Sequence, residues 1–375
     1  MAEPFKNLIN AALVRACGDH LRRAWPGFDR AAFERQALHG LADLEMKARA
    51  MQVADALEAT LPSDFDRAAG LVEAVLAPAA TDDGLGMRTS EAGLAGWIGW
   101  PLGEFIARRG LAEPERALQA LHALTQRFTA EFAIRPLLVQ HFDLTLATLA
   151  RWRHDPSAHV RRLVSEGSRP RLPWGLRIQR LVADPTPTLP LLRHLQDDPS
   201  EYVRRSVANH LNDIAKDHPA VVADWLHDHL PDATPERRAL LRHASRTLIK
   251  QGDARVLKAW GLGQALRGEA RFSLSPRRVA VGGKLELVLE LASTSAKPQP
   301  LAIDYVVHHV KANGGTSPKV FKGWKLTLGP RESARLVKSH SLRPVTTRVL
   351  YPGEHRVDVQ VNGKVVAGAS FTLRA

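Results

Sequence analysis

The sequence holds a single cysteine, Cys17, among 375 residues. One thiol can form neither a disulfide within the chain nor a cluster of cysteines around zinc, which excludes a disulfide-stapled fold and the Cys-x-x-Cys site of zinc deaminases. The sequence also lacks a run of eighteen apolar residues, and its first residues lack a basic segment followed by an apolar one. It therefore predicts neither a membrane span nor a secretion signal, and we expect a soluble cytoplasmic protein.

Glycine-rich phosphate loops are missing too, because no Walker-type G-x-x-x-x-G-K-[ST] pattern occurs. Acidic residues are in the minority, since 39 aspartates and glutamates face 52 lysines and arginines, for a formal net charge of +13. So basic a chain indicates a polyanionic partner, and nucleic acid is a better match than a membrane surface. The length suits two domains, each with an ample core.

Strand signals are scarce in the first two thirds of the sequence. From Phe5 to about Ala265 apolar residues recur at three- and four-residue steps, as in FERQALHGLADLEMKARAMQVADALEATL. Prolines interrupt this pattern at short intervals, which favours many short helices over a few long ones. We therefore assign residues 1–267 to a helical domain.

The pattern changes near Arg271. The segments KLELVLEL and LAIDYVVHH alternate with a two-residue period, and VDVQVNGKVV is typical of a hairpin whose Asn-Gly pair suits a tight primed turn. About 105 residues of short alternating strands predict an immunoglobulin-like β-sandwich over residues 271–375. This segment holds 17 lysines and arginines against 6 acids, a net charge of +11, whereas the rest of the chain holds 35 against 33. The sandwich is thus expected to grip phosphates, although lysine-rich surfaces also occur without such a function.

Two related octapeptides indicate an internal repeat in the helical part. DPSAHVRR starts at Asp155 and DPSEYVRR at Asp198, 43 residues later, and a poorer third copy starts at Thr234. A period of about 40–47 residues is typical of HEAT and armadillo proteins, whose stacked helices form a curved solenoid with a concave face. The sequence therefore predicts a mainly α protein, a HEAT-like α-solenoid followed by an all-β immunoglobulin-like sandwich.

Three acids attract attention because each lies in a basic helix end that is closed by a proline. They are Glu131 in RFTAEFAIRP, Glu166 in VRRLVSEGSRPRLPW and Asp213 in DPSEYVRRSVANHLNDIAKDHP. Each has a structural interpretation, an ion pair with a nearby basic side chain. The functional alternative is that the repeat brings equivalent helix ends, and with them the three acids, to one surface.

The same segments resemble the signature segments of the AlkC family, bacterial alkylpurine DNA glycosylases related to AlkD. The resemblance covers most of the helical region, and one branch of the family carries a C-terminal immunoglobulin-like domain. It implies a monofunctional base-excision-repair enzyme that removes the N3-methylated bases 3-methyladenine and 3-methylcytosine without flipping them into a deep pocket. We accordingly expect a monomer that acts on duplex DNA containing alkylated bases, with no cofactor, metal or membrane partner, near the bacterial nucleoid.

Carried onto matching positions, the resemblance implies that the active-site acids are Glu131, Glu166 and Asp213. It also places Trp174 beside the lesion and Arg162 near the DNA backbone. From the residues alone, Trp174 has an equally good interpretation as a core anchor of the following helix.

Further DNA contacts in the helical region are expected from polar side chains that can hold phosphates and fix the register of the duplex. They are Arg169, Arg204, Arg205, Asn209, His210 and Arg246. For His210 the alternative is a hydrogen-bonded group within the solenoid.

The chemistry that the resemblance implies agrees with these residue types. A base methylated at N3 is already cationic and leaves without protonation, so the barrier lies in the positive charge that develops on the deoxyribose. A carboxylate near C1′ stabilises that charge and can orient or deprotonate the attacking water. Without the resemblance, a non-catalytic HEAT scaffold that binds nucleic acid and a protein–protein adaptor both remain open.

The most basic run of the predicted sandwich is KANGGTSPKVFKGWK, in which lysines surround a Gly-Gly turn. We expect four of them to contact DNA: Lys311, Lys319, Lys322 and Lys325. The alternative is a soluble hairpin in which Phe321 and Trp324 belong to the core.

Overall fold

The computed structural model describes residues 4–80, 82–84, 86–345 and 348–374. The chain divides into two compact units. Unit 1 comprises residues 1–218 and 234–244, and unit 2 comprises residues 219–233 and 245–375. Among the described residues, none of the helices has both the length and the apolar character needed to cross a lipid bilayer.

The described chain contains sixteen α-helices before its first strand. They are α1 Ala11–Ala24, α2 Arg30–Leu38, α3 Met46–Thr60, α4 Phe65–Ala74, α5 Gly99–Arg109, α6 Pro114–Thr125, α7 Ile134–Gln140, α8 Phe142–Trp152, α9 Ala158–Gly167, α10 Gln179–Ala183, α11 Leu189–Leu195, α12 Glu201–Ile214, α13 Pro219–His229, α14 Pro235–Ala244, α15 Arg246–Gln251 and α16 Ala254–Ala259. Short 3-10 helices occur at Phe5–Leu8, Leu41–Asp43, Gly96–Ile98, Gly110–Ala112 and Thr186–Thr188. Many short helices are what the frequent prolines predict.

Helix α12 shows why these segments fold as they do. Ser200 caps its first turn by accepting from the backbone amide of Val203. Val203 and Leu211, with the apolar residues between them at three- and four-residue steps, form the buried stripe that the sequence predicts. Helix α12 packs against α9, which precedes it in the chain, and against α14, which follows it. Unit 1 is therefore a HEAT-like stack in which corresponding helices of successive repeats contact one another.

The repeated octapeptide has a structural role in this stack. In both copies the first arginine of VRR braces the turn before its own helix, because Arg161 donates to the carbonyl oxygens of Asp155 and Pro156 and Arg204 does the same at Asp198 and Pro199. Arg161 also forms a two-point ion pair with Asp198 of the next copy. The motif thus joins successive repeats.

Unit 2 contains α13, α15 and α16 and all the strands of the sandwich. The strands are β1 Gly268–Ser275, β2 Arg278–Ala280, β3 Lys284–Ser293, β4 Gln299–Val310, β5 Thr316–Leu328, β6 Ser333–Ser341, β7 Gly353–Val361 and β8 Lys364–Arg374. One sheet has the order β1-β3-β6 and the other β2-β8-β7-β4-β5, and all pairs are antiparallel except β2 with β8. The predicted immunoglobulin-like sandwich is confirmed.

The core of the sandwich comes from the alternating residues of both sheets. The predicted inward faces of β3 and β4 are buried, from Leu285 to Leu291 and from Leu301 to Val307. Asn362 and Gly363 form the predicted turn between β7 and β8, with φ values of 48° and 76°. The change from helix to strand lies between Ala259 and Gly268, close to the sequence expectation. The assignment of residues 1–267 and 271–375 as functional domains stays a prediction.

Candidate active site

Six aromatic side chains line a cleft of about 530 Å³ in unit 1. The cleft lies where the start of α5, the segment 126–133, helices α9 and α12 and the loop 168–178 come together. The aromatic residues are Trp97, Trp100, Phe128, Phe132, Trp174 and Tyr202. Two of the predicted acids, Glu131 and Glu166, line the same cleft. Apolar rings and negative charge are therefore combined in one site.

A row of alternating charges runs along this cleft and into the wall behind it. Each member contacts the next, in the order Glu131, Arg162, Glu166, Arg169, Asp213 and Lys216. The members come from the segment before α7, from α9 and the loop after it, and from the end of α12. The fold thus brings the three predicted acids together, with a basic side chain between each pair.

Arg162 joins the first two acids. Its Nη1 donates to Glu131 Oε2 at 2.5 Å and to Thr129 Oγ1 at 2.6 Å, and its Nη2 lies 3.6 Å from Glu166 Oε1. The guanidinium also lies over the ring of Tyr202, 5.0 Å from its centroid. Burial alone would lower the pKa of Arg162, but the charges of the two glutamates raise it above its usual value. This side chain stays cationic and fixes both acids.

Arg169 joins the second and third acids. Its Nη1 donates to Glu166 Oε1 at 2.6 Å, and its Nε and Nη2 both lie 2.7 Å from Asp213 Oδ2. The remaining carboxylate oxygens are bound as well, because Ser206 Oγ donates to Glu166 Oε2 at 2.6 Å and Lys216 Nζ donates to Asp213 Oδ1 at 2.7 Å. The network therefore holds each of these two carboxylates in a single orientation.

Burial increases along the row of acids. The side chain of Glu131 is 12% exposed, that of Glu166 is 7% exposed and that of Asp213 is 2% exposed. Glu131, Glu166 and Arg169 line the cleft, whereas Asp213 lies behind Arg169 and does not line it. The sequence prediction treats the three acids alike, but the structure gives Asp213 a different position.

The ionisation of Glu166 is set by two opposing effects. Burial raises its pKa, but the charges of Arg162 and Arg169 and the hydrogen bonds from Ser206 and Arg169 outweigh it, so that the pKa lies below its usual value. Glu166 is therefore a carboxylate at neutral pH. A fixed, buried negative charge faces the aromatic cleft.

Stability alone does not account for a network of this kind. Moving an ion out of water costs several kcal/mol even after the protein relaxes, roughly the amount that its partner returns, and apolar replacements are often as stable. Groups with shifted pKa values that are gathered in a cleft are instead typical of functional sites. The row of charges is thus a candidate for catalysis.

The aromatic side chains pack on one another along the cleft. The ring centroids of Trp97 and Phe128 are 5.2 Å apart, and Trp100 stacks on Phe132 at 5.1 Å. Only a glycine fits at Gly99, because a Cβ there would lie 2.3 Å from the Cβ of Phe128. The close approach of α5 to the segment 126–133 creates this wall.

Trp174 differs from the other aromatic residues of the cleft because its side chain is 70% exposed. Its backbone adopts a left-handed conformation with φ of 63°, which is unusual for a residue with a large side chain. Its interpretation as a core anchor is therefore wrong. The indole instead projects from the loop 168–178 at the rim of the cleft.

Two arginines predicted to contact DNA are engaged within the protein. Arg162 and Arg169 are bound to the acids described above, and neither guanidinium projects into solvent. Their observed role is to hold the carboxylates of the cleft.

His210 does not lie on the surface at all. Its ring is fully buried, Nδ1 donates to the carbonyl oxygen of Ser165 at 2.9 Å, and burial lowers its pKa to about 4. The predicted DNA contact is wrong for this residue, because α9 covers the flank of α12 from which it projects. Its alternative interpretation, a hydrogen-bonded group of the solenoid, is confirmed.

The second copy of the repeat presents a more open surface, a groove of about 580 Å³ between α12 and α14. Arg205 occupies the position that Arg162 occupies 43 residues earlier, and it is exposed at this groove. Asn209 stands where Glu166 stands in the first copy, and its Oδ1 accepts from His243 Nε2 at 2.9 Å. Without an acid at that position, Arg205 remains available to an anion. Its predicted DNA contact stays a prediction.

Two other basic residues of the helical part that are predicted to contact DNA are only partly exposed. Arg204 is half-buried and braces the turn before α12, and Arg246 is half-buried at the start of α15 in unit 2. For both, DNA binding stays a prediction.

The lysines predicted to contact DNA lie on the hairpin of β4 and β5. Lys311, Lys319, Lys322 and Lys325 are all exposed. Phe321 and Trp324 pack against the sandwich core, as the alternative interpretation of this segment predicts, and Lys319 Nζ lies 5.3 Å from the centroid of Phe321. The hairpin is therefore anchored by its aromatic residues and basic on its surface, and the two interpretations are compatible.

Sequence reasoning missed most of the aromatic cleft. Phe128 and Phe132 flank Glu131 within a segment whose charges are its most conspicuous feature, and WIGWP contributes Trp97 and Trp100. Aromatic residues close to a candidate acid are the signal that could have found it. Among the described residues, no group of three histidine, cysteine, aspartate or glutamate side chains is placed to hold a metal ion.

The chain is similar to known proteins over its full length. Residues 269–375 match the model of the C-terminal immunoglobulin-like domain of the uncharacterised protein YhaZ. Uncharacterized protein YhaZ from Bacillus subtilis is 35% identical over 374 residues, which cover 98% of this chain and 99% of that protein. The structure of Pseudomonas fluorescens alkylpurine DNA glycosylase AlkC, bound to DNA containing an abasic site analog, matches with 36% identity and a TM-score of 0.90 over 100% of both chains. The chain therefore belongs to the AlkC family of alkylpurine DNA glycosylases, in the branch with a C-terminal immunoglobulin-like domain.

Proposed function

We propose that the protein is a DNA glycosylase that hydrolyses the N-glycosidic bond of alkylated bases in duplex DNA. The finer proposal is that its substrates are cationic N3-methylated bases, 3-methyladenine and 3-methylcytosine. Similarity over the full length to an alkylpurine DNA glycosylase bound to DNA supports the reaction class. The acids and aromatic rings of the cleft support the proposal that the substrate base is cationic.

The observation that carries this proposal is the pair of acids that line an aromatic cleft. Glu131 and Glu166 line the cleft together with six aromatic rings. A cationic base or sugar is attracted both by carboxylates and by the faces of aromatic rings, and both attractions are stronger where water is largely excluded. A neutral base would gain little from the same groups.

The reaction follows from these groups. A base alkylated at N3 already carries a positive charge, so it takes the electrons of the C1′–N bond and leaves neutral without a general acid. The positive charge then develops on the deoxyribose, as in other glycoside hydrolyses with oxocarbenium-like transition states. Glu131 and Glu166 stabilise that charge, and one of them accepts a proton from the water whose oxygen bonds to C1′. The products are a free base and an abasic site.

The basic members of the network have supporting roles in this mechanism. Arg162 and Arg169 fix the orientation of the acids through hydrogen bonds of 2.5 Å and 2.6 Å. Asp213 lies behind Arg169 and compensates the positive charge of its guanidinium. Arg169 therefore neutralises less of the negative charge that Glu166 presents to the cleft. Trp174, at the rim, contacts the lesion or its sugar. The lesion therefore reacts at an open cleft, without extrusion into a deep pocket.

Phosphate binding is proposed for the basic surfaces. The exposed lysines of the β4–β5 hairpin and the exposed Arg205 supply contacts that do not depend on base sequence. The net charge of +11 on residues 271–375, against +2 on the rest of the chain, makes the sandwich the main source of this electrostatic attraction.

The experiment is a single-turnover assay on duplex DNA treated with a methylating agent, in which released bases and abasic sites are both measured. We expect free 3-methyladenine and 3-methylcytosine, each with one new abasic site. The folded protein is checked by its thermal transition. Binding to the duplex without any base release would overturn the enzymatic proposal and favour a non-catalytic scaffold.

A further inference from the structure

We propose that Arg135 and Phe5 are positioning residues for Trp174, Arg135 through the backbone of its loop and Phe5 through its ring. This inference rests on the proposed function only for its effect on base excision.

Trp174 needs such support because nothing in its own conformation favours its position. Its side chain is mostly exposed and its φ is 63°, a region that residues with a Cβ seldom occupy. A loop with these properties changes conformation easily unless neighbouring groups hold it. A ring that must meet a base at a defined distance therefore requires restraints from outside the loop.

Arg135 supplies the first restraint. This residue of α7 is fully buried, its Nε donates to the carbonyl oxygen of Leu176 at 2.5 Å, and its Nη1 donates to that of Gly167 at 2.8 Å. One rigid guanidinium thus joins the last residue of α9 to the loop just beyond Trp174. A lysine has a single nitrogen at its end and cannot reproduce this fork.

The packing around Arg135 supports the same conclusion. A Cβ at Gly175, the residue after Trp174, would lie 3.2 Å from both Cδ and Nε of Arg135. The third nitrogen, Nη2, is buried and has no hydrogen-bond partner. Burial lowers the pKa of Arg135 to about 10, so it remains charged at neutral pH. A buried cation with an unsatisfied donor is unfavourable for the fold, which indicates that its contacts to the loop are retained for another reason.

Phe5 supplies the second restraint. Its ring meets Trp97 edge to face, with centroids 4.7 Å apart, and lies 6.5 Å from the ring of Trp174. Phe5 therefore bridges the half-buried Trp97 of the aromatic wall and the exposed indole of Trp174. A ring that is itself 49% exposed at this place is better explained by its two aromatic neighbours than by core packing.

The short helix Phe5–Leu8 is in turn held by a buried arginine. Arg49 Nη1 donates to the carbonyl oxygens of Lys6 and Ile9 at 3.0 Å and 2.9 Å. Its Nε and Nη2 donate to those of Leu44 and Ala42. Both restraints on Trp174 thus depend on arginines that bind backbone carbonyls, which do not move with side-chain rotamers.

A structural readout tests the positioning without any assay of activity. The eight tryptophans are labelled with 5-fluorotryptophan, and Trp174→Phe identifies the ¹⁹F resonance of Trp174. We expect Phe5→Ala, Arg135→Lys and Gly175→Ala each to shift or broaden that resonance, whereas Leu8→Ala, an exposed residue of the same short helix, leaves it unchanged. Gly175→Ala keeps the arginine, so it tests the contact even if Arg135→Lys unfolds the protein. An unchanged Trp174 resonance in Phe5→Ala and Gly175→Ala would overturn the proposal.

A double-mutant cycle then tests the effect on excision. Phe5→Ala should slow single-turnover release of 3-methyladenine by roughly 2- to 10-fold, the range expected for one aromatic pair. In the Trp174→Ala background the same change should have no further effect, because Phe5 acts through Trp174. Equal effects in both backgrounds would show that Phe5 acts otherwise and overturn its positioning role. If the wild-type protein releases no base, the proposed function fails while the ¹⁹F result still decides the positioning.

Discussion

Arg169 binds Asp213 through two nitrogens, Nε and Nη2, each 2.7 Å from Oδ2, and both side chains are almost inaccessible to water. The same guanidinium donates to Glu166. The electrostatic effect of Glu166 on the cleft therefore depends on Asp213, which lies behind Arg169. Removing either partner of a buried pair leaves the other without compensation, which is far more unfavourable than breaking a surface pair.

Asp213→Asn is therefore expected to affect both stability and rate. The free energy of unfolding should fall by about 3 kcal/mol, because the buried Arg169 loses one of its two counter-charges and Lys216 loses its partner. Base release should slow by about 10²-fold or more, since Arg169 then draws more strongly on Glu166. Urea unfolding and single-turnover excision measure the two effects.

The matched control is Asp217→Asn, four residues further along the chain. Asp217 accepts from Nε and Nη2 of Arg171, each at 2.6 Å, but this pair is partly exposed and does not line the cleft. Its removal should cost less than about 1 kcal/mol of stability and leave the excision rate unchanged. Equal effects of the two substitutions would contradict a special role for Asp213.

Ser206→Ala should shift the acid limb of the pH–rate profile. The hydroxyl donates to Glu166 Oε2 at 2.6 Å and helps to hold the pKa of this carboxyl below its usual value of 4.5. Without the hydrogen bond that pKa rises, so protonation removes the negative charge of Glu166 at a higher pH. As the pH is lowered, the rate of the variant should begin to fall at a higher pH than the wild-type rate does. Superimposable profiles would show that the ionisation of Glu166 does not control the rate.

His210 makes the protein sensitive to acid. Its pKa is about 4 in the folded chain, where burial opposes the charged form, against 6.5 for an unperturbed imidazole. The unfolded chain therefore binds one proton more between about pH 6.5 and pH 4, and the free energy of unfolding falls as the pH is lowered through this range. One residue contributes up to about 3 kcal/mol, at 1.36 kcal/mol for each unit of pKa.

The measurement is urea unfolding from pH 7 to pH 4 of the wild type and of His210→Gln. The variant should be less stable at pH 7, but its stability should depend on pH less steeply, by about one proton. Parallel curves for the two proteins would contradict this assignment. His309 and His340 of the sandwich, whose pKa values burial also lowers to about 4, contribute equally to both curves.

The lysines of the β4–β5 hairpin are expected to act through charge alone. Replacing Lys319, Lys322 and Lys325 by alanine should reduce the slope of log K against log salt concentration by about one for each phosphate that the protein no longer binds. Affinity should weaken alike for intact and alkylated duplexes. The salt slope is obtained from DNA affinities measured at several salt concentrations. Arg205→Ala is measured in the same way, as the corresponding substitution in the helical part. A slope identical to that of the wild type would show that the hairpin does not contact DNA.

Local patterns in the sequence predict much of the fold, because strands and turns are determined largely by residues that are close together in the sequence. Alternation along KLELVLEL identifies a strand with one buried face, and Asn362-Gly363 identifies a tight turn between two later strands. The 43-residue spacing predicts the stacked repeats, and Arg161 shows the physical reason, since it pairs with the first residue of the next copy.

Long-range packing explains what the sequence did not reveal. The helical period places His210 on the flank of α12 but does not indicate that α9 covers this flank. The sequence predicts the same role for Asp213 as for the other two acids, because all three lie in basic helix ends closed by a proline. Three-dimensional packing instead places Asp213 behind Arg169. The exposure of Trp174 likewise depends on Arg135 and on the left-handed backbone of a loop, neither of which a sequence pattern specifies.

Glu166→Gln tests the central claim most directly, because the substitution keeps the size of the side chain and removes only the charge that faces the cleft. Single-turnover release of 3-methyladenine from methylated duplex DNA is measured together with affinity for a duplex that contains an abasic-site analogue. The ionised-acid mechanism predicts excision about 10²- to 10³-fold slower than in the wild type, the effect of removing one preorganised electrostatic interaction, with affinity changed by no more than about threefold. Excision at the wild-type rate by a folded Glu166→Gln protein would contradict it, and Glu166 would then be only an ion-pair partner of Arg162 and Arg169.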